Sequence, residues 1–156
     1  MKPKVYLETS VVSYLTSRPS RDLITAGRQK ITNDWWESEK INYKLFISET
    51  VISEAKLGDI RAVKKRMSII NKLNLVELTA DALKFAQFLI EETPFPKNAK
   101  VDALYIAIAA IHGMDYLLTW NFKHIANASI RSKIEVLSDS KNITLPVICT
   151  PEELIY

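Results

Sequence analysis

The sequence predicts an α/β fold in which a mainly parallel sheet of four to five strands is covered by helices on both faces. Three observations lead there. Short apolar runs such as Val5-Tyr6-Leu7 and Lys44-Leu-Phe-Ile-Ser48 recur along the chain. Each is followed by a helical pattern, and strands alternating with helices form parallel sheets with two helical layers. The stretch Val101-Asp-Ala-Leu-Tyr-Ile-Ala-Ile-Ala-Ala-Ile-His-Gly113 reads as a helix that is apolar on every side, and such a helix lies inside a domain.

The elements follow in order. Val5–Leu7 is a strand, and Thr9 or Ser10 then caps a helix that runs to about Ser17, with Pro19 breaking it. A second helix spans roughly 21–40 and carries Leu23, Ile24, Ile31, Trp35 and Trp36. Lys44–Ser48 is the next strand, with a helix from Thr50 to Leu57 that stops at Gly58. Asp59 caps another helix to about Leu73, and Asn74–Leu78 is the third strand. Thr79 begins the helix Asp81–Glu92, and Asn98 is the expected cap of the Ala-rich helix, which His112-Gly113 ends. A strand Tyr116–Thr119, a short helical piece near Ile130–Leu137 and a last strand Leu145–Cys149 complete the series.

The 156 residues make one domain's worth of chain, with no repeat, linker or low-complexity tract, so residues 1–156 read as a single domain. At this size folding buries roughly two-thirds of the unfolded surface. The single cysteine, Cys149, excludes an intramolecular disulfide and a cysteine-based zinc site, which suits the cytoplasm. No signal peptide or membrane span is expected, because the longest apolar run, Ala103–Ile111, is far shorter than the ~20 residues that cross a bilayer. A net charge of +3 is compatible with a polyanionic partner without requiring one.

In an open parallel sheet, ligands bind at the carboxyl ends of the strands. Glu8 closes the first strand, Glu54 lies in the helix after the second, Asp102 opens the Ala-rich helix and Asn121 follows the fourth strand. The topology brings all four to one edge. Carboxylates crowded together raise one another's pKa unless a cation lies between them. A hard cation such as Mg²⁺ or Mn²⁺ takes oxygen ligands, keeps several waters and accepts phosphate oxygens from a substrate. The chemistry expected of such a site is metal-assisted phosphodiester hydrolysis.

Val5-Tyr-Leu-Glu-Thr-Ser10 before a helix, Glu54 within its helix, Asp102-Ala-Leu-Tyr-Ile-Ala-Ile-Ala-Ala before His112-Gly113, and Leu118-Thr-Trp-Asn-Phe-Lys-His124 together resemble the spaced motifs of PIN-domain ribonucleases. The nearest group is the VapC-like toxins of type II toxin–antitoxin systems. The resemblance runs nearly end to end and includes Ile148-Cys-Thr-Pro-Glu-Glu-Leu154. It implies a PIN-like three-layer α/β/α sandwich and a Mg²⁺- or Mn²⁺-dependent endoribonuclease, a hydrolase acting on RNA. It also implies frequent homodimers and a cognate antitoxin protein that blocks the acidic site. By this resemblance Glu8, Glu54 and Asp102 hold the metal, Ser10 or Thr9 orients the first acid or the water, and Asn121 takes the fourth position. Glu8 departs from the Asp of many members, and Asn121 is neutral where Asp is frequent. Three formal negatives favour one ion over two.

Plainer readings stand beside these. Glu54 is also what a solvated helix carries, Asp102 complements a helix dipole, and Asn121 suits a turn. His124 has no partner carboxylate in view and is assigned to packing or surface. Trp35, Trp36 and Trp120 could stack on RNA bases, although core or dimer packing accounts better for the adjacent pair, whose helix is a candidate interface. Lys56, Arg61, Lys64, Lys65 and Arg66 form a basic stretch that would grip a phosphate backbone if it rims the acids. Two other functional classes compete. One is a non-catalytic module that binds RNA or protein, motivated by the neutral Asn121. The other is an aspartyl-phosphate enzyme, disfavoured by Glu8 at the first strand and by three scattered glycines that form no phosphate loop.

Overall fold

The protein is described from a computed structural model that covers residues 1–96 and 99–155. Five strands, β1 (Lys4–Leu7), β2 (Lys44–Ser48), β3 (Asn74–Val76), β4 (Tyr116–Leu118) and β5 (Val147–Cys149), form one sheet in the order β3-β2-β1-β4-β5. Every pairing is parallel, with Tyr6 registered between Phe46 and Leu117. Tyr6, Leu7, Ile47, Leu117 and Leu118 are all buried. Side chains on both faces of these strands are apolar because helices cover both faces.

Among the described residues seven α-helices connect the strands: α1 (Thr9–Thr16), α2 (Leu23–Ser38), α3 (Glu49–Ala55), α4 (Ile60–Ile70), α5 (Ala80–Glu92), α6 (Lys100–Ile111) and α7 (Ala128–Ser140). The first four pack among themselves, and α5 packs on α6 and α7, so the sheet lies between two helical layers. The chain winds from β1 outward to β3, then returns to the other side of β1 for β4 and β5. Connections therefore leave β1 and β4 in opposite directions, which opens a crevice between their carboxyl ends. Helix α6 runs antiparallel to the strands, and so it delivers its N-terminus to that crevice. Its stop is as expected, with Gly113 in the left-handed region at φ 63.

Several boundaries differ from the sequence reading, each for a local reason. The cap of α1 is neither Thr9 nor Ser10 but Glu8, whose side chain accepts from the Ser10 amide. Ser48 caps α3, so that helix starts at Glu49, before Thr50, and it ends at Ala55, before Leu57. Helix α4 stops at Ile70, short of Leu73. Asn127 accepts from the Ser129 and Ile130 amides and starts α7 two residues before Ile130. Strand β5 begins only at Val147, because Pro146 has no N–H to give the ladder. Asn98 lies outside the described residues. Cys149 is a buried core thiol, pushed up to about 12 mainly by desolvation.

Trp35 is wholly buried and tilts against Tyr43 with ring centroids 6.0 Å apart. Of the core and dimer readings of the adjacent pair, Trp35 takes the core one. Trp120 is likewise a packing residue, 5% exposed, with its indole N–H donated to the Thr32 hydroxyl at 2.8 Å. Among the described residues no helix is long and apolar enough to cross a membrane.

Candidate active site

Glu8 ends β1 at the crevice and is only 4% exposed. Its carboxylate accepts from the Ser10 amide at 2.9 Å, the Ser10 hydroxyl at 2.5 Å and the Thr119 hydroxyl at 2.6 Å. Those hydroxyls accept in turn: Ser10 Oγ from the Trp120 amide at 2.9 Å, and Thr119 Oγ1 from the Asn121 amide at 2.9 Å. The loop after β4 is thereby tied to the acid after β1. A second chain of donors reaches Glu54. The Thr9 and Tyr105 hydroxyls are 2.8 Å apart, and the Tyr105 hydroxyl donates to Glu54 Oε2 at 2.7 Å.

The third acid has its own pair of partners. Asp102, in the first turn of α6, accepts from Asn121 Nδ2 at 3.1 Å and meets His124 Nδ1 at 2.7 Å. A proton must lie between the carboxylate and the ring at that distance. Asn121 cannot turn over, because its Oδ1 accepts the His124 amide at 3.2 Å. As it stands, its amide steers Asp102. The Asp102 and His124 side chains are each 13% exposed, and His124 Nε2 is buried with no hydrogen-bond partner among the described residues.

Burial is the largest cause that lifts the Glu8 carboxyl above its ordinary value, opposed by the Ser10 and Thr119 donors and reinforced by Glu54. Asp102 is also raised, again mainly by desolvation, with His124 lowering it and Glu54 raising it. Glu54 thus repels both of the other acids. It also adds to the rise of the Tyr6 and Tyr105 hydroxyls, which burial dominates, so neither phenol ionises near neutrality. The set is electrically unbalanced: the ion pairs found among the described residues are Lys30–Asp34 and His124–Asp102, so no Lys or Arg there is paired with these three carboxylates.

The sign of the pH effect follows. A raised carboxyl pKa means that the folded state binds more protons than the unfolded one, so stability is lost as pH rises above the ordinary carboxylate range. In chelator, the melting-temperature difference between Glu8→Gln and the native protein is expected to grow in favour of the variant between about pH 4 and pH 8. A difference that does not change with pH would contradict the assignment.

In donor chemistry the site fits Mg²⁺ or Mn²⁺, since all three acids supply only oxygen. In arrangement each acid is turned to its own donors, and among the described residues no three His, Cys, Asp or Glu side chains form a group that could hold a metal ion. Ser10 sits against Glu8, and Asn121 against Asp102. His124, assigned by sequence to packing or surface, is the close partner of Asp102. In the sequence Tyr105 and Thr119 read only as parts of a helix and a strand. The basic stretch is partly engaged elsewhere: the Arg66 guanidinium donates to the Ala55 and Leu57 carbonyls. Arg61 and Lys65 instead line a cavity with Arg18 between α1 and α4.

No protein-family profile matches the sequence, and no curated protein matches it. Solved structures do match. The sarcin-ricin loop cleaving toxin VapC20 of Mycobacterium tuberculosis aligns with a TM-score of 0.60 at 17% identity, over 76% of this chain and 91% of that one. VapBC2 of Rickettsia felis, bound to a promoter DNA fragment, gives 0.60 at 16% identity, over 94% and 98%. A toxin–antitoxin complex from Klebsiella pneumoniae gives 0.57 at 15%, over 94% and 97%. At such identities the likeness is one of fold, and it agrees with the five parallel strands between two helical layers. The chain has the PIN-like fold of the VapC toxins.

Proposed function

We propose that this chain is a Mg²⁺- or Mn²⁺-dependent endoribonuclease and the toxin of a toxin–antitoxin pair. The observation that carries the reading is the convergence of Glu8, Glu54 and Asp102 on the crevice between β1 and β4, with no basic side chain among the described residues paired to offset them except His124. Support also comes from the fold, shared with a toxin that cleaves the sarcin-ricin loop.

Glu8, Glu54 and Asp102, which form no ligand group as they stand, would have to turn from their present donors toward one another to hold the ion. When bound, Mg²⁺ or Mn²⁺ lowers the pKa of a coordinated water and neutralises charge that grows on the phosphate. The chain's own residues prepare the acids. Ser10 and Thr119 fix both oxygens of Glu8, Tyr105 fixes Glu54, and Asn121 with His124 fixes Asp102. Asn121 serves this reaction by orienting Asp102 or a water. Attack by the water oxygen on phosphorus breaks one P–O bond, so one product keeps the phosphate and the other gains a hydroxyl. The partners that belong to this reading are an RNA substrate, a cognate antitoxin that covers the acids, and a second copy of the chain, in the cytoplasm.

Incubation with single-stranded RNA and Mn²⁺ is expected to give cleavage that chelator abolishes. Cleavage that persists in chelator would defeat the metal mechanism. A specific observation favours a second reading, a non-catalytic binding module: the acids as they stand form no ligand group for an ion. Absence of cleavage across several RNAs, together with RNA binding, would select that module.

A further inference from the structure

A large cavity lies at the opposite end of the sheet from the acids, where β1, β2 and β3 begin. It has a volume of about 700 Å³ and is rimmed by Lys2, Lys4, Lys40, Lys44 and Lys72 around the half-buried face of Trp36. No Asp or Glu stands among the described residues that line it. Neither ion pair found among the described residues involves these lysines. The neighbouring Asp115 carboxylate is committed to the Lys4 backbone amide at 2.7 Å. The Lys40 ammonium stands 4.3 Å from the centre of the Trp36 ring and presents its charge over the aromatic face.

Such a volume is in the range of pockets that hold ligands, roughly 300–1,000 Å³. The Lys4 ammonium lies 3.5 Å from the His112 carbonyl and the Lys44 ammonium 5.5 Å from the centre of the Phe46 ring, but none of the five lysines is ion-paired among the described residues, and an anion relieves the repulsion of like charges gathered around one cavity. The Trp36 ring is already covered by the Lys40 ammonium and packs against Trp35, so the pocket meets a nucleic acid through its cations and the phosphates, not through a stacked base. At the other end of the sheet the three carboxylates repel phosphate unless a cation lies among them. We propose that this lysine-rimmed pocket is a second RNA-binding site, which grips the phosphate backbone of the substrate while its scissile bond lies at the acids.

This inference rests on the ribonuclease reading for the identity of its ligand. Lys4 and Glu8 stand at the two ends of β1, ~13 Å apart at ~3.3 Å per residue. The RNA must pass around the edge of the sheet to touch both, so the site serves long or folded substrates and leaves the shortest ones unaffected.

The test compares the native protein with the triple variant Lys40→Glu, Lys44→Glu, Lys72→Glu, using a fluorescein-labelled single-stranded RNA of about 20 nucleotides in chelator at several salt concentrations. All three lysines are on the surface or half-exposed, and an unchanged melting temperature confirms folding. Lys40→Gln, Lys44→Gln, Lys72→Gln provides a milder set if the first does not fold. The expected result is at least tenfold weaker binding, with the salt slope reduced by about 2, from ~0.7 for each phosphate of a single strand that is no longer neutralised. Unchanged affinity and slope would overturn the proposal. So would polyglutamate of equal length competing better than unlabelled RNA, since the pocket would then take an acidic polypeptide. Cleavage assays with Mn²⁺ separate this inference from the reading beneath it. Weakened binding without cleavage by either protein leaves the pocket standing and removes the ribonuclease, whereas cleavage with unchanged binding removes the pocket alone.

Discussion

Asp102→Asn is expected to lower the rate of RNA cleavage by about 10²–10³-fold, which corresponds to ~2.7–4 kcal/mol of barrier. The substitution removes one of three negative charges, and it also breaks the arrangement that aims the group. Asp102 accepts from Asn121 at one oxygen and meets His124 at the other. An amide has one accepting end only, so if its oxygen takes the Asn121 donor its NH₂ faces His124 Nδ1, which must then switch to the tautomer that accepts there and carries its N–H on the buried Nε2. Asn121 cannot adapt by turning over, because its own oxygen is held by the His124 amide. Stability is expected to hold, since the raised Asp102 carboxyl means that its ionised form is disfavoured in the fold. RNA affinity in chelator is expected to stay equal or to rise, since a charge that repels phosphate has gone. A variant that cleaves at the native rate would remove Asp102 from the chemistry and take the acidic site with it. A variant that loses activity only in step with a lowered melting temperature would assign Asp102 a structural role.

The order of strands and helices is readable because it depends on local pattern: Val5–Leu7, Lys44–Ser48 and the all-apolar α6 announce themselves within a few residues. The positions of Glu8, Glu54 and Asp102 at one edge follow from topology alone. The partners that hold each acid cannot be read the same way. Thr119 meets Glu8 across 111 positions of chain, and the Tyr105 hydroxyl meets Thr9 across 96. Neither residue has a local signature, since a threonine after a strand and a tyrosine in a buried helix are both ordinary. His124 shows no carboxylate neighbour in its own segment, yet its partner, Asp102, sits 22 positions earlier and reaches it only once α6 packs beside β4. The basic rim is invisible for the same reason. Lys4, Lys44 and Lys72 belong to three separated segments that become neighbours only when the strands align.

Trp35→Ala is expected to cost about 3–5 kcal/mol and to lower the melting temperature by roughly 6–20 °C, the range for emptying a buried Trp site in a domain of this size. The indole is wholly buried between Trp36 and Tyr43, with ring centroids at 6.4 and 6.0 Å. Its N–H has no hydrogen-bond partner among the described residues. That orphan donor makes Trp35→Phe the informative comparison. Phenylalanine retains an aromatic ring against Tyr43 and removes a buried group that has left water without gaining a partner, a penalty of about 1–3 kcal/mol. The gain offsets part of the poorer packing of the smaller ring, so Trp35→Phe should lie well above Trp35→Ala in melting temperature. Equal losses in the two variants would mean that the indole N–H is satisfied and that volume alone decides. The same pair tests the interface role that the sequence suggests for this helix. A core residue lowers the melting temperature independently of protein concentration, whereas an interface residue would shift the sedimentation profile and make the loss depend on concentration.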